Sequence, residues 1–295
     1  MWPIAVMAVC VVTLCVIIIV SLVRYNSTTR YTNAIQDAWS PSGSETDYQR
    51  YVNPNPPKLG EGDETDDRLA LADMIIRMQH RTRVDITPPP STELVAVYGP
   101  RGEPYMVGIF RQGQYLVVAF RGTMTDAEMR ADMRMDQVDF GTFGKVHRGF
   151  HDQYVLYAEH VTPWIQKHDG PTWIIGHSLG GALATMFYQV NKGEFISGLT
   201  FGSPRVGDDR FADMLDDNIV RIVNRTDIIT GLPLTAMPNF THSSEDLWLY
   251  IHGGQSVEFM NNRGSWKANH LMATYIDYLR GTSPDEKNEH NTTTR

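Results

Sequence analysis

Hydrophobic positions fall into three regimes along the chain. From Trp2 to Val23, 22 consecutive positions carry no charge. From Tyr25 to about Glu61 the chain is polar and rich in Ser, Thr, Asn and Pro, including Asn53-Pro-Asn-Pro-Pro57. Such a composition makes a stalk or linker with little helix. From Thr65 onward, apolar residues return with a period. Leu69, Ala72, Met74, Ile75, Ile76 and Met78 recur at helical spacing and predict an amphipathic helix ending near Arg81, before Pro88-Pro-Pro90 breaks the chain. Strand-like runs follow at 94–98, 106–110, 115–120, 172–176, 198–201 and 219–223, with a final pair at 247–252 and 256–260. Helical patterns fall between and after them, at 152–167, 181–190, 208–215 and 268–280. Early hairpin-like strands followed by alternating strands and helices predict a mostly parallel α/β sheet with helices on both faces. The polar tail after Gly281 is predicted to be disordered.

At about 1.5 Å per helical residue, the first run is long enough to cross a bilayer core of roughly 30 Å. It lacks a preceding Lys or Arg and a small-x-small cleavage site, so an uncleaved single-pass membrane anchor is expected rather than a signal peptide. Arg24 and Arg30 follow the run, and the positive-inside rule then puts the rest of the chain in the cytosol. Asn26, Asn224, Asn239 and Asn291 each begin an N-x-Ser/Thr triplet, which matters only in a lumenal or extracellular domain. The expected organisation is an anchor at 1–24, a flexible linker at 25–62, an α/β domain at 63–281 and a tail at 282–295.

With 42% hydrophobic and 20% charged residues, the composition is that of a globular protein. A net charge of −8 removes any electrostatic case for nucleic-acid binding. Both cysteines, Cys10 and Cys15, lie in the first apolar run, so the α/β domain contains no disulfide. Asp63, Glu64, Asp66 and Asp67 read as a solvated approach to a helix rather than a metal site. No His, Cys or Asp cluster has zinc or EF-hand spacing. No metal and no cofactor is expected.

The stretch Thr172-Trp-Ile-Ile-Gly-His-Ser-Leu-Gly180 supplies candidate chemistry. A short apolar strand, a Gly-His-Ser-Leu-Gly turn and a helix rich in small residues are the context of a nucleophile elbow. The turn exposes the Ser178 hydroxyl, and the helix start aims backbone N–H groups at an oxyanion beside it. A serine nucleophile needs a base and the base an orienting acid, which in elbow folds follow in the order Ser, Asp or Glu, His. Asp227 stands just past the strand-like run 219–223, whereas Asp208, Asp209, Asp213, Asp216 and Asp217 sit on a surface helix and Asp246 precedes a strand. Among the downstream histidines, His290 is in the tail. His242, His252 and His270 remain open on local pattern. His270 ranks first because it immediately precedes the last helical run.

These residues belong to a wider set. Ala119-Phe-Arg-Gly-Thr123, Val146-His-Arg-Gly-Phe150, Ile175-Gly-His-Ser-Leu-Gly-Gly181, Thr200-Phe-Gly-Ser-Pro-Arg-Val-Gly207, Asn224-Arg-Thr-Asp227 and Asn269-His-Leu271 occur in order with regular spacing. From about Leu69 to Leu279 the chain resembles the class 3 lipase family, the fungal-lipase-like branch of the α/β-hydrolases. The resemblance implies the α/β-hydrolase fold, with Ser178 as nucleophile, Asp227 as acid and His270 as base. It further implies an oxyanion hole from the N–H groups of Thr123 and Leu179, and a lipid ester as substrate. It assigns His242 and His147 to non-catalytic positions. A lid is implied after Thr123, where Thr125-Asp-Ala-Glu128 forms a capping box and Met129 and Met133 share a helix face. Family members often carry Trp where this chain has Met129, while Asp132 keeps a commonly acidic position. The methionine face suits either acyl chains or packing on the domain. An anchored lipase hydrolysing acylglycerols is the leading expectation. The alternatives are a phospholipase or general carboxylesterase of the same fold, or an inactive anchored binding module.

Overall fold

The computed structural model describes residues 50–79, 86–99, 105–123, 136–238 and 247–282. The apolar run at 2–23, the helix expected at 125–135, His242 and the tail beyond 282 lie outside the described residues, as do Asn26, Asn239 and Asn291. Among the described residues, no helix is long and apolar enough to cross a membrane.

Helix α1 (Glu64–Met78) begins at the acidic cluster, and the cluster caps it. The Asp63 carboxylate accepts from the N–H groups of Thr65 and Asp66, while the Asp66 carboxylate accepts from the Asp63 N–H. Glu64, Asp66 and Asp67 occupy the first turn, where negative charge complements the helix dipole. The spacing of its apolar residues predicts an amphipathic helix, but every residue from Ala70 to Met78 is buried. The cause is a second layer. Residues 50–62, expected within a linker, dock on the domain from Arg50 onward: Tyr51, Val52 and Leu59 join the core beside α1, and the Leu59 N–H donates to Gln112 Oε1 at 2.7 Å. A buried ion pair ties this segment down. Arg77 Nε donates to Asp73 Oδ2 at 2.6 Å, and Arg77 also donates to the carbonyls of Asn53 and Thr87. Asp73 Oδ1 in turn accepts from the Asn53 N–H at 2.7 Å.

In chain order the strands are β1 (Glu93–Tyr98), β2 (Val107–Gln112), β3 (Tyr115–Phe120), β4 (Gln137–Asp139), β5 (Lys145–His147) and β6 (Thr172–His177). Strands β7 (Ile196–Phe201), β8 (Ile219–Asn224), β9 (Ala236–Pro238), β10 (Leu247–Leu249) and β11 (Gln255–Phe259) follow. The later helices are α2 (Arg148–Gln166), α3 (Leu179–Asn191), α4 (Asp209–Asp213), α5 (Trp266–His270) and α6 (Met272–Leu279). Seven strands form one sheet in the order β1-β2-β3-β6-β7-β8-β11. The first three pair antiparallel, and from β3 onward every pairing is parallel. Side chains alternate across the sheet. Val118, Phe120 and Ile174 enter the core shared with α2 and α3, whereas Val117, Ala119 and Ile175 enter the core shared with α1 and α6.

Three local expectations change. The final two strand-like runs belong to different sheets, β10 pairing with β9 and β11 running parallel to β8. The hairpin of β4 and β5 goes unread in the sequence because three-residue strands are too short to display a period. The single helix expected at 268–280 is two helices, divided at Leu271 by an extended backbone (φ −63°, ψ 140°).

Breaking a buried pair from one side strands a charge, so Asp73→Ala is expected to lower folding stability by about 3–5 kcal/mol. Urea unfolding checks this, with a loss below about 1 kcal/mol counting against the role given to the pair. The double variant Asp73→Leu/Arg77→Met, which leaves no unpaired charge, is expected to lose less than Asp73→Ala alone.

Candidate active site

The site begins with a strained backbone. Ser178 stands between β6 and α3 with φ 58° and ψ −127°, and Ser91 is the one other non-glycine residue at positive φ among the described residues. Such a conformation costs about 1–3 kcal/mol and persists only where its surroundings over-determine it. Here the two flanking glycines supply that determination. A Cβ on Gly176 would fall 2.0 Å from the Gly180 carbonyl oxygen, and one on Gly180 would fall 2.3 Å from that of Phe120. Only glycine permits β6, the first turn of α3 and the end of β3 to approach this closely.

Three residues predicted from the sequence meet at this point. His270 Nε2 lies 2.8 Å from Ser178 Oγ, and His270 Nδ1 lies 2.6 Å from Asp227 Oδ2. Asp227 sits just beyond β8 with its side chain fully buried, and Oδ1 accepts from the Ile229 N–H at 2.9 Å. Oδ2 also accepts from the Tyr275 hydroxyl at 2.6 Å. Burial, with Asp227 beside it, raises the Tyr275 phenol well above its usual range, so it remains a donor. This arrangement can pass a proton from the serine to the imidazole and hold the resulting cation against a carboxylate. Tyr275 was not singled out in the sequence; its place on α6, the helical run that follows His270, was the available signal.

The acid and base loops are tied together by Asn224. Its Oδ1 accepts from the Asn261 N–H and from Thr226, while its Nδ2 donates to the carbonyls of Asn261 and Asn269. Asn224 is completely buried, so the triplet it begins is closed to glycosylation in the folded domain. Asn269 closes the loop from the other side by donating to the Thr226 carbonyl at 3.0 Å.

The remaining histidines have other partners. His252, one of the alternatives for the base, bonds through Nε2 to the Thr230 carbonyl at 2.7 Å, and burial with Arg221 nearby holds its pKa down to about 3. His147 accepts from the Phe150 N–H and caps α2. His177 was read only as a letter of the turn, yet it is buried and bridges Gln79 to the main-chain oxygen of His270. Leu179 follows Ser178 directly, and Thr123 follows Gly122 just past β3. Leu179 opens α3, and a Cβ on Gly122 would stand 3.2 Å from Ser178 Cβ. Fully buried Arg121 holds that strand end, donating to the carbonyls of Tyr105 at 2.7 Å and Gly122 at 2.6 Å.

A family model described as lipase (class 3) matches residues 117–237, which contain Ser178 and Asp227. The chain is 30% identical over 146 residues to the secreted mono- and diacylglycerol lipase 1 of Fusarium solani, covering 45% of this chain and 44% of that protein. It is 28% identical over 207 residues to the phospholipase A1 EG1, chloroplastic/mitochondrial, of Oryza sativa subsp. indica, covering 56% of this chain and 48% of that one. The chain thus spans about half the length of these relatives. Among solved structures it is similar to the lipase from Rhizopus microsporus var. chinensis, with a TM-score of 0.49 and 20% identity over 74% of this chain and 89% of that one. The elbow and the mixed sheet, parallel from β3 onward, make this an α/β-hydrolase fold.

Burial, and secondarily the neighbouring His270, holds the His177 pKa down to about 3. An unfolded chain protonates this ring near pH 6.5, while the folded protein leaves it neutral down to about pH 3. The unfolded state therefore binds the extra proton in that window, and stability falls as the pH drops from 6.5 toward 3. The expected contribution is about 1.4 kcal/mol per pH unit from this group. Urea midpoints at pH 7, 6 and 5 for the wild type and His177→Asn check it: equal slopes would contradict the assignment.

Proposed function

We propose, from the membership of this chain in the class 3 lipase family, that it is a serine hydrolase of lipid carboxylic esters, with acylglycerols as principal substrates. The observation that carries the reading is the hydrogen-bond chain from Asp227 through His270 to Ser178 Oγ, at 2.6 and 2.8 Å. His270 Nε2 takes the Ser178 proton as Oγ attacks the ester carbonyl. Asp227 keeps the imidazole oriented and stabilises the cation that forms. The N–H groups of Leu179 and Thr123 donate to the oxyanion; a single donor of this kind contributes about 10²–10³ in rate. The imidazolium then protonates the leaving alcohol, and water repeats the cycle on the acyl-enzyme. No metal or cofactor enters these steps.

Mono- and diacylglycerol hydrolysis is named for one relative and phospholipase A1 for another, so phospholipids are the second reading. We propose in addition that the uncharged run at 2–23 holds the domain at the cytosolic face of a membrane. A tether raises the effective concentration of bilayer lipid at the site. Protease protection in sealed microsomes tests this: a domain shielded until detergent is added would place it on the other side.

Ser178→Ala and His270→Ala in the full chain are each expected to lower turnover of emulsified acylglycerols by about 10⁴–10⁶-fold, while His252→Ala keeps the relay. Fluorophosphonate should label the wild type and not Ser178→Ala. Equal labelling of the two would refute the nucleophile, and faster cleavage of phospholipid than of acylglycerol vesicles would favour the second reading.

A further inference from the structure

The geometry points to Gln79 and His177 as positioning residues that fix the main chain of His270, and with it the reach of the imidazole to Ser178. The inference rests on the Ser178–His270–Asp227 reading above and adds two residues to it.

The division between α5 and α6 makes the interaction possible. In a continuous helix the Thr274 N–H would bond to the carbonyl of His270, four residues earlier. The extended backbone at Leu271 interrupts that ladder, and the Thr274 N–H bonds to the Leu271 carbonyl instead, at 2.8 Å. The His270 carbonyl turns to the sheet and meets His177 Nε2 at 2.8 Å. His177 is the residue before the nucleophile and the last residue of β6. One hydrogen bond therefore joins the strand carrying Ser178 to the backbone carrying the base.

Its direction fixes the protonation of the whole chain of groups. A carbonyl only accepts, so Nε2 of His177 carries the proton and Nδ1 presents a lone pair. Gln79 Nε2 lies 3.1 Å from that Nδ1 and donates to it. The other His177 tautomer would set a lone pair against the His270 carbonyl. A reversed Gln79 amide would set two acceptors face to face. One arrangement satisfies all three groups: the His270 carbonyl sets it, and Gln79, buried at the C-terminal end of α1, completes it.

The same arrangement keeps His177 uncharged where charge would be harmful. The groups around it are the His270 ring, with centroids 4.8 Å apart, the Tyr275 ring at 6.1 Å, the Gln79 amide and, beyond His270, the Asp227 carboxylate. During turnover His270 becomes a cation. A neutral His177 holds its backbone without opposing that charge, and burial supports the neutral form.

The test uses the full chain, ring-nitrogen NMR and two substitutions at Gln79. In the wild type, His177 is expected to carry its proton on Nε2 at pH 7 and not to titrate between about pH 5 and 8. Gln79→Leu removes the donor, and Gln79→Glu replaces it with an acceptor that draws the proton to Nδ1. Both should lower kcat for a soluble ester about tenfold or more, with KM within about twofold, because the base is displaced while substrate contacts are untouched. The rate of fluorophosphonate labelling should fall in parallel. Gln79→Glu should also add a titration to the pH profile of kcat. A wild-type His177 protonated on Nδ1, or charged at pH 7, overturns the proposal even if neither variant folds. Folded variants that label within twofold of wild type also overturn it. Ser178→Ala is run beside them: activity retained there sinks the nucleophile reading itself, whereas an inactive Ser178→Ala with unaffected Gln79 variants sinks only the positioning role.

Discussion

The carbonyl oxygens of Phe120 and Arg121 lie so close to the backbone of Gly180 that a Cβ there would meet them at 2.3 and 2.4 Å. Much of the site follows from this contact between the end of β3 and the first turn of α3. It holds the helix start down on the sheet, which requires a turn too tight for ordinary backbone angles. Ser178 takes up the strain at φ 58°. It also brings the chain after β3 to Ser178, where a Cβ on Gly122 would stand 3.2 Å from the Ser178 Cβ. The strain, about 1–3 kcal/mol, is small against the burial of Leu179, Leu183 and Phe187, each contributing about 1.5–3 kcal/mol. The packing of α3 thus stabilises a conformation that Ser178 alone would avoid.

The continuous apolar runs that built the sheet were legible because both faces are buried: 115–120 reappears as β3 (Tyr115–Phe120), and 172–176 extends by one residue into β6 (Thr172–His177). Ser178 and Asp227 were legible from the turn and from a strand end. Local pattern ranks His270 first only by its place before the last helical run; choosing it over His252 needs the resemblance, because the choice depends on how β8 and the α5–α6 break converge. The burial of α1 from Ala70 to Met78 was not legible, because Tyr51, Val52 and Leu59, which join its core, come from a stretch whose composition reads as linker. Gln79 and His177 were hidden for a related reason. They are 98 residues apart, and a single hydrogen bond between neutral side chains leaves no period and no charge pattern.

Two buried carboxylates in this domain are satisfied in opposite ways. Asp73 faces Arg77, and the pair fastens the 50–62 segment to α1. Among the described residues, Asp227 pairs with the His270 imidazole, while Tyr275 and the Ile229 N–H supply neutral donors. The difference suits their uses. An arginine at Asp227 would hold the carboxylate and draw its charge away from His270, leaving less for the imidazolium that forms in turnover. Neutral donors satisfy the remaining lone pairs, as a buried carboxylate requires, and leave the charge available.

The acid and the base are also held in one polar frame. Asn224 bonds to both the Asn261 and the Asn269 carbonyls, and Asn269 reaches back to Thr226, so the turn at Asp227 and the short helix ending at His270 share a polar frame. The nucleophile belongs to a different strand, β6, separated from β8 by β7. Among the described residues, two hydrogen bonds join the frame to it, from Ser178 Oγ to His270 Nε2 and from His177 Nε2 to the His270 carbonyl. The first is made and broken in every cycle if Ser178 is acylated, because Oγ then has no proton to share. The second does not change with the chemistry. A relay whose functional bond must open needs a second contact that stays closed, and the break at Leu271 frees the carbonyl that makes it.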